Sequence, residues 1–337
     1  MRDLIRPLVV APMAGGPSTP ALVVAAARAG AAGFLAAGYK TPEAVEGELR
    51  AVRAEGVAYG LNIFVPAAPP PDPAAIDRYR RLLQAEADRY GVDLPPVRLR
   101  DDDHFAAKIE LAVTYAPPLV SFAFGVPDRG VVTALRAAGS AVAITVTTAA
   151  EAHRALAAGP DLLIAQGGTA GGHSSTTSPA GYRGDTTAGQ ILAAVRAVTG
   201  LPVIAAGGTA SAADVRELRA AGAVAVQAGT FFLLAAEAGT RPAQRAAMLS
   251  RDFQETVVTR AFTGQPARAL RNRFTDGYSG AAPAGYPALH HLTAPIRAAA
   301  AERGDAGALN LWAGTGFAAA HPGSTAELVA ELSPTPA

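Results

Sequence analysis

Leu201-Pro-Val-Ile-Ala-Ala-Gly-Gly208-Thr-Ala-Ser-Ala-Ala-Asp214 and, shortly after it, Ala223-Val-Ala-Val-Gln227-Ala-Gly229-Thr230 carry the reading that decides the fold. Each is an apolar run of strand length that ends in a glycine turn. Ser211 opens a helix behind the first, and Gly229-Thr230 leads into Phe231 behind the second. Two consecutive strand–glycine–helix units can form one phosphate cradle, because backbone N–H groups and helix N-termini then face a single anion. In an eight-stranded β/α barrel this place belongs to the loops after strands seven and eight. The same turns also serve as tight strand-to-helix connections that hold no ligand. Just upstream, Gln166-Gly-Gly-Thr-Ala-Gly-Gly-His173-Ser-Ser follows the apolar segment Asp161–Ala165 and sets a histidine behind a glycine pair. Glycines at a strand exit allow close approach to a phosphate, and an imidazole beside them can exchange a proton near neutral pH. The alternative is a glycine-rich loop whose histidine caps a neighbouring group.

Working outward, apolar strand candidates recur at Leu4–Ala11, Gly33–Ala36, Val57–Phe64, Leu119–Phe122, Ala141–Val146, Asp161–Ala165, Val203–Ala206 and Val224–Gln227. Alanine-rich helical stretches separate most of them. Continuous apolar strands between helices imply a parallel sheet covered on its outer face, and eight of them point to closure as a TIM (β/α)8 barrel. An open doubly wound sheet is the alternative. Helix starts are expected at Ser18-Thr-Pro20, Thr41-Pro42-Glu43 and Thr148, with ends at Gly30, Gly56 and Gly159. Two stretches exceed a minimal barrel. Pro66–Pro73 is an extended, proline-rich segment before a polar helix at Ala74–Tyr90 and a second helix within Asp101–Ala116, an insertion in the third strand-to-helix connection. Glu237–Arg303 reads as helices and loops. The expected organisation is therefore a barrel over residues 1–236, a small, mainly helical cap or substrate domain over 237–303, and a C-terminal segment, 304–337, that returns to the barrel.

Composition narrows the function. A chain of 337 residues, 50% hydrophobic, can bury one large core. A net charge of +1 without a basic stripe argues against a nucleic-acid partner. No apolar run is long enough to span a membrane and no signal-peptide pattern is present, so a cytoplasmic enzyme acting on a small molecule is expected. The absence of cysteine excludes disulfides, thiolate metal sites and a covalent cysteine intermediate. His290 and His291 are adjacent, diverge on a helix and chelate poorly, so no metal is expected. Tyr39, Lys40 and Tyr278 are candidates to reach or screen the barrel mouth, and Asp101-Asp-Asp103 reads as an acidic helix N-terminal cap.

In chain order, Ala11-Pro-Met-Ala-Gly-Gly16, Gly60-Leu-Asn-Ile-Phe64, Val120-Ser-Phe-Ala-Phe-Gly125, Ala170-Gly-Gly-His173, the Gly207-Gly208 and Gly229-Thr230 turns, Leu270-Arg-Asn-Arg-Phe274, Tyr286-Pro287 with His290, and Leu311-Trp-Ala-Gly-Thr-Gly316 form a series. That series resembles the nitronate monooxygenases, FMN-dependent barrels, in the branch that acts on alkyl nitronates. The resemblance implies FMN at the barrel mouth with its phosphate at Gly171, Gly172, Gly207, Gly208, Gly229 and Thr230. It implies that Met13, Ala14 and Asn62 line the isoalloxazine, that Gln166 hydrogen-bonds its polar edge, and that Gln227 sits near the phosphate or ribityl chain. Core filling by Met13 and strand-end capping by Asn62 and Gln166 are the alternatives. By the same resemblance His173 is the active-site base or the partner of the nitro group, with only modest tuning of its pKa. The implied reaction is oxidation of an alkyl nitronate, or a nitroalkane, by O2 to a carbonyl compound and nitrite.

The remaining substrate-side or lid candidates are Thr169, Ser174, Tyr286, His290 and Thr315. Here the chain departs from the family pattern, which places an acidic residue at Thr169 and a basic residue then glycine at Ser174 and Ser175. A changed substrate or a neutral repacking of the loop both follow from this difference. Other functions share such barrels: an NAD(P)H reductase of quinone or enoyl type, a specialised biosynthetic flavoenzyme, or a catalytically silent flavin-binding protein. Barrels like inosine monophosphate dehydrogenase need a nucleophilic cysteine, which this chain lacks. The oligomeric state is open.

Overall fold

The computed structural model describes residues 6–70, 72–250 and 252–333. Among these residues, eight parallel strands close a barrel: β1 (Leu8–Val10), β2 (Ala32–Ala36), β3 (Tyr59–Phe64), β4 (Leu119–Ala123), β5 (Ala141–Val146), β6 (Leu162–Gln166), β8 (Val203–Ala206) and β9 (Ala225–Ala228). A short strand, β7 (Gly172–His173), leaves the barrel and joins β10 (Thr256–Thr259) and β11 (Ala267–Leu270) in a separate sheet ordered β10-β11-β7. Closure is made by β1 against β9, with Leu8 beside Val226 and Val10 beside Ala228. Every expected barrel strand is present within two residues at the described ends; Leu4 and Ile5 lie outside the described residues.

Both faces of the barrel strands are buried, which is why they read as unbroken apolar runs rather than alternating ones. Val9, Phe34, Leu162, Ile164 and Ile204 fill the interior. Their chain neighbours Val10, Leu35, Leu163 and Val203 face the surrounding helices. Those helices begin where the capping residues predict: the Thr19, Thr41 and Thr148 hydroxyls accept from the N–H groups of Leu22, Ala44 and Glu151.

A second core lies beside the mouth of the barrel. The helix Pro73–Tyr90 packs across the helix Ala288–Glu302, joining Ile76, Tyr79 and Leu83 to Phe262, Phe274, Leu289 and Leu292. The insertion after β3 and the chain after β9 therefore share one apolar interior. The expectation of helices and loops after residue 237 missed the sheet. Thr256-Val-Val-Thr259 is a β-branched run suited to a strand, but it is too short to stand out without its partner.

The acidic run Asp101–Asp103 does not cap a helix. The following helix, Phe105–Tyr115, starts from His104 without a side-chain cap. Asp103 instead accepts from the Tyr39 N–H at 3.0 Å and stands 2.8 Å from the Nζ of Lys108, whose side chain is fully buried. Burial pushes the Asp103 carboxyl up and the Lys108 ammonium down, so each ion is held by the other. Removing one partner of a buried pair leaves an uncompensated charge. Asp103→Asn is expected to lower the unfolding free energy by about 3 kcal/mol in denaturant titration; a change within error would show that Lys108 does not depend on it.

Candidate active site

The C-terminal ends of the strands surround a cavity of about 400 Å³, inside the range of about 300–1,000 Å³ usual for small-molecule sites. Its floor comes from strand exits: Ala11–Gly15, Tyr39, Asn62, Phe64, Phe124, Gln166, the Gly207-Gly208 turn and Gln227–Thr230. Its roof comes from the chain after β9, through Arg241, Gln244, Thr263, His290, Arg297, Asn310 and Trp312.

One end of the cavity is a tight cradle built from four glycine-bearing segments. A Cβ on Gly171 would lie 2.4 Å from the Gly314 nitrogen and 2.8 Å from Thr230 Oγ1, so the segments touch backbone to backbone. Gly314 donates to Thr230 Oγ1 at 2.9 Å, and Thr315 donates to the Thr169 carbonyl at 3.1 Å. Gly208 holds a φ of +74°, a conformation open to glycine at little cost. Among the described residues, Gln227 Oε1 and Thr209 Oγ1 are buried at this cavity without a hydrogen-bond partner. Buried polar atoms of this kind need a partner, and the cavity is where one would sit.

His173 lines the same cavity beside this cradle, and its position is over-determined. It pairs with Ala267 in the β7–β11 ladder. Its carbonyl accepts from Gln166 Nε2 at 3.0 Å, while Gln166 Oε1 accepts from the Ser175 N–H at 2.7 Å, so one amide clamps both ends of the loop. The ring Nε2 meets Thr263 Oγ1 at 2.9 Å. The Thr263 hydroxyl also reaches the Gln265 carbonyl at 3.2 Å and can act as donor or acceptor, which leaves Nδ1 as the position that takes or gives a proton. Burial, reinforced by the positive charge of Arg297, pushes the His173 pKa down to about 3. The expected modest tuning is therefore exceeded, and the ring is neutral at physiological pH.

Aromatic rings surround this imidazole: Trp312 at 5.1 Å, Phe124 at 5.5 Å, Tyr286 at 6.3 Å and Tyr39 at 6.5 Å between centroids. Tyr39 and Phe124 hold φ values of +67° and +71°, costly for large side chains. Each is pinned through its N–H, Tyr39 by Asp103 and Phe124 by Ser175 Oγ at 3.0 Å. Behind the histidine loop, the buried Glu151 carboxylate accepts from the N–H and hydroxyl groups of Thr147 and Thr177 and from the Thr176 hydroxyl.

Of the residues singled out in the sequence, Met13, Ala14, Asn62, Gln166, Gly171, Gly172, His173, Gly207, Gly208, Gln227, Gly229, Thr230 and His290 all line the cavity. Asn62 donates to Ser121 Oγ at 2.9 Å, and Gln166 is engaged by the histidine loop as well as bordering the cavity. Tyr286 stands behind Phe124 and His290 in the aromatic wall. Thr169 and Thr315 join the cradle from beneath; the buried Thr169 hydroxyl has no partner among the described residues.

Ser174 does not line this cavity. Its N–H donates to the Pro266 carbonyl, its carbonyl accepts from Gln265 Nε2, and its hydroxyl accepts from the Thr176 N–H. The Ser174–Ser178 run is thus engaged in holding the loop, although Ser175 also borders the cavity. Lys40 turns to Glu48 at 2.7 Å, and Tyr278 packs on Phe274 in the second core. His290 stacks on Tyr39 at 4.4 Å, and His291 turns to Asp101 at 2.9 Å. Thr263, Asn310 and Arg297 were not anticipated. Only Arg297 left a signal, as a lone charge in the apolar stretch Ala294-Pro-Ile-Arg-Ala-Ala-Ala-Ala301.

Comparison with known proteins places this geometry among relatives. The profile of the nitronate monooxygenase family matches residues 1–335. A probable nitronate monooxygenase of Staphylococcus aureus (strain Newman) is 32% identical over 332 residues, covering 96% of this chain and 93% of that protein. A nitroalkane oxidase structure from Streptomyces ansochromogenes superposes with a TM-score of 0.93 at 42% identity, covering 98% of this chain and 95% of that one. FabK from Thermotoga maritima shares the fold, with a TM-score of 0.70 at 21% identity over 98% and 92% of the two chains.

Glu151→Gln replaces one of the two acceptor oxygens with a donor, which then faces the N–H of either Thr147 or Thr177. It is expected to cost about 2 kcal/mol of stability and to loosen the histidine loop, read as faster amide exchange at residues 173–177. Exchange unchanged from wild type would show that the carboxylate does not hold the loop.

Proposed function

Because the chain belongs to the nitronate monooxygenase family, whose members are flavin-dependent oxidoreductases, we propose that it oxidises an alkyl nitronate, or the parent nitroalkane, with FMN as cofactor and O2 as oxidant. The products are a carbonyl compound and nitrite. The observation that carries this reading is the pairing, within one cavity, of a glycine cradle with the buried, rigidly held imidazole of His173. The residues present fit FMN. Gly171, Gly207, Gly208, Gly229 and Thr230 would hold its phosphate, and the unpartnered Gln227 and Thr209 oxygens supply acceptors for ribityl hydroxyls or ring N–H groups. Met13, Ala14 and Asn62 would border the ring system. Bound there, the flavin would supply the electron transfer between substrate and oxygen.

The chain's own residues perform the remaining tasks. Tyr39, Phe64, Phe124 and Trp312 exclude water and restrict the substrate to the space beside His173. Neutral Nδ1 of His173 can accept the proton of a nitroalkane carbon acid, and the same nitrogen, once protonated, can donate to an anionic nitro oxygen. The low basicity of the ring favours substrates that arrive already ionised. Residues 237–303 serve as the substrate cap, through Arg241, Gln244, Thr263, His290 and Arg297, and the chain from residue 304 returns Asn310 and Trp312 to the cavity.

Purified with FMN and supplied with ethyl nitronate, the protein is expected to consume oxygen and release nitrite without oxidising NADH. NADH oxidation without nitrite would instead mark a reductase. His173→Asn is expected to keep the flavin and lose about 100-fold or more in turnover of a neutral nitroalkane; unchanged turnover removes the base. Gly171→Ala is expected to lower FMN content, measured as flavin absorbance per protein, because the added methyl enters the closed cradle. Full retention would move the phosphate elsewhere.

A further inference from the structure

Arg297 and Arg241 are two charges for which the reaction scheme above has no specific use. Arg297 rises from the helix Ala288–Glu302 into the cavity wall and is 9% exposed. Its Nε donates to Thr293 Oγ1 at 3.1 Å and its Nη2 to the His290 carbonyl at 2.9 Å. Nη2 also lies 3.5 Å from His290 Nδ1. Among the described residues no carboxylate pairs with it, and Nη1 has no hydrogen-bond partner. Arg241 lines the same cavity, and its Nη2 reaches only Asn310 Oδ1, at 3.3 Å, again without a carboxylate.

Elsewhere the molecule treats buried charge differently. Lys108 has Asp103, and Arg273 has Glu86. Arg245 and Arg268 lack carboxylates, but each directs its donors at three oxygens and neither borders this cavity. Burial, together with the like charge of Arg241, pushes Arg297 down to about 10. Two guanidiniums without carboxylates that line one cavity and repel each other are unfavourable unless an anion enters it.

We propose that Arg297, supported by Arg241, forms the subsite that binds the substrate as a planar anion, its guanidinium fork meeting the two oxygens of the nitronate. This deepens the proposed oxidation and rests on it. A guanidinium offers paired donors that match a flat, two-oxygen anion, and charge-assisted bonds of this kind are about twice as strong as neutral ones. A neutral nitro group presents the same two oxygens without the charge. The subsite therefore selects for the ionised form of the substrate. Burial holds His173 neutral and the charge of Arg297 reinforces it, so an arriving anion offsets part of what disfavours a proton on the imidazole.

The test uses the flavin-loaded protein and nitrate, a flat anion that cannot be oxidised, with affinity read from the visible spectrum of the bound flavin. Arg297→Gln is expected to weaken nitrate at least about ten-fold. It should also raise KM for ethyl nitronate by a similar factor and lower the nitronate-to-nitroethane selectivity at least five-fold, about the change that half of such a bond represents. Arg297→Lys should recover part of the nitrate affinity, and Arg241→Gln should weaken nitrate by a smaller factor. Unchanged nitrate affinity in Arg297→Gln overturns the proposal. So does loss of flavin with anion affinity intact after reconstitution, which would assign the charge to the cofactor. If Arg297→Gln does not fold, wild-type affinity in both Arg297→Lys and Arg241→Gln overturns it equally. A wild-type protein that binds nitrate through Arg297 but never turns over a nitronate leaves the subsite standing and removes the proposed oxidation instead.

Discussion

Closure of the barrel by β1 against β9 is the constraint on which the rest of this molecule depends. Parallel strands all leave the sheet at the same rim, so closing the ring gathers every strand exit around one mouth. Segments far apart in the chain then become neighbours: a Cβ on Gly229 would lie 3.6 Å from the sulfur of Met13. The glycine turns after β6, β8 and β9 converge on the Gly314 segment for the same reason. No single one of them makes a cradle, and together they leave room for little besides a ligand.

The energetic cost of the mouth is concentrated in a few places and offset by specific contacts. Tyr39 and Phe124 occupy left-handed backbone conformations, which persist only where the surroundings over-determine them. Asp103 and Lys108 stabilise the first, and Ser175 the second. Glu151 and Gln166 then fix the loop that carries His173. The consequence is a closely held, buried wall in which electrostatic effects are stronger than at the surface. Burial pushes His290 to about 2 as well, so both imidazoles facing this wall are neutral and Arg297 and Arg241 dominate its field.

Much of this architecture was legible in one dimension. The eight barrel strands, the threonine caps and the glycine helix ends follow from apolar runs, spacing and local hydrogen bonding, all properties of short windows of sequence. The cavity residues at the strand exits were legible for a related reason, since a strand end in a closed barrel has only one place to go. The misreadings have a common cause. Asp103 looked like a helix cap because Lys108 and Tyr39, its real partners, are recognisable only in three dimensions. Ser174 looked available because Gln265 and Pro266, which occupy it, lie about ninety residues away.

By itself, the sequence determined the barrel, the glycine cradle and the presence of a histidine beside it, because each depends on periodicity or on the conformational freedom of residues close in the chain. Only the tertiary structure decided the state of that histidine. Its neutrality depends on burial beneath the cap and on the charge of Arg297, more than one hundred residues away in the chain. Desolvation and Coulomb interaction act through space, and a linear pattern carries no record of which charges the fold will bring together or which it will leave unpaired.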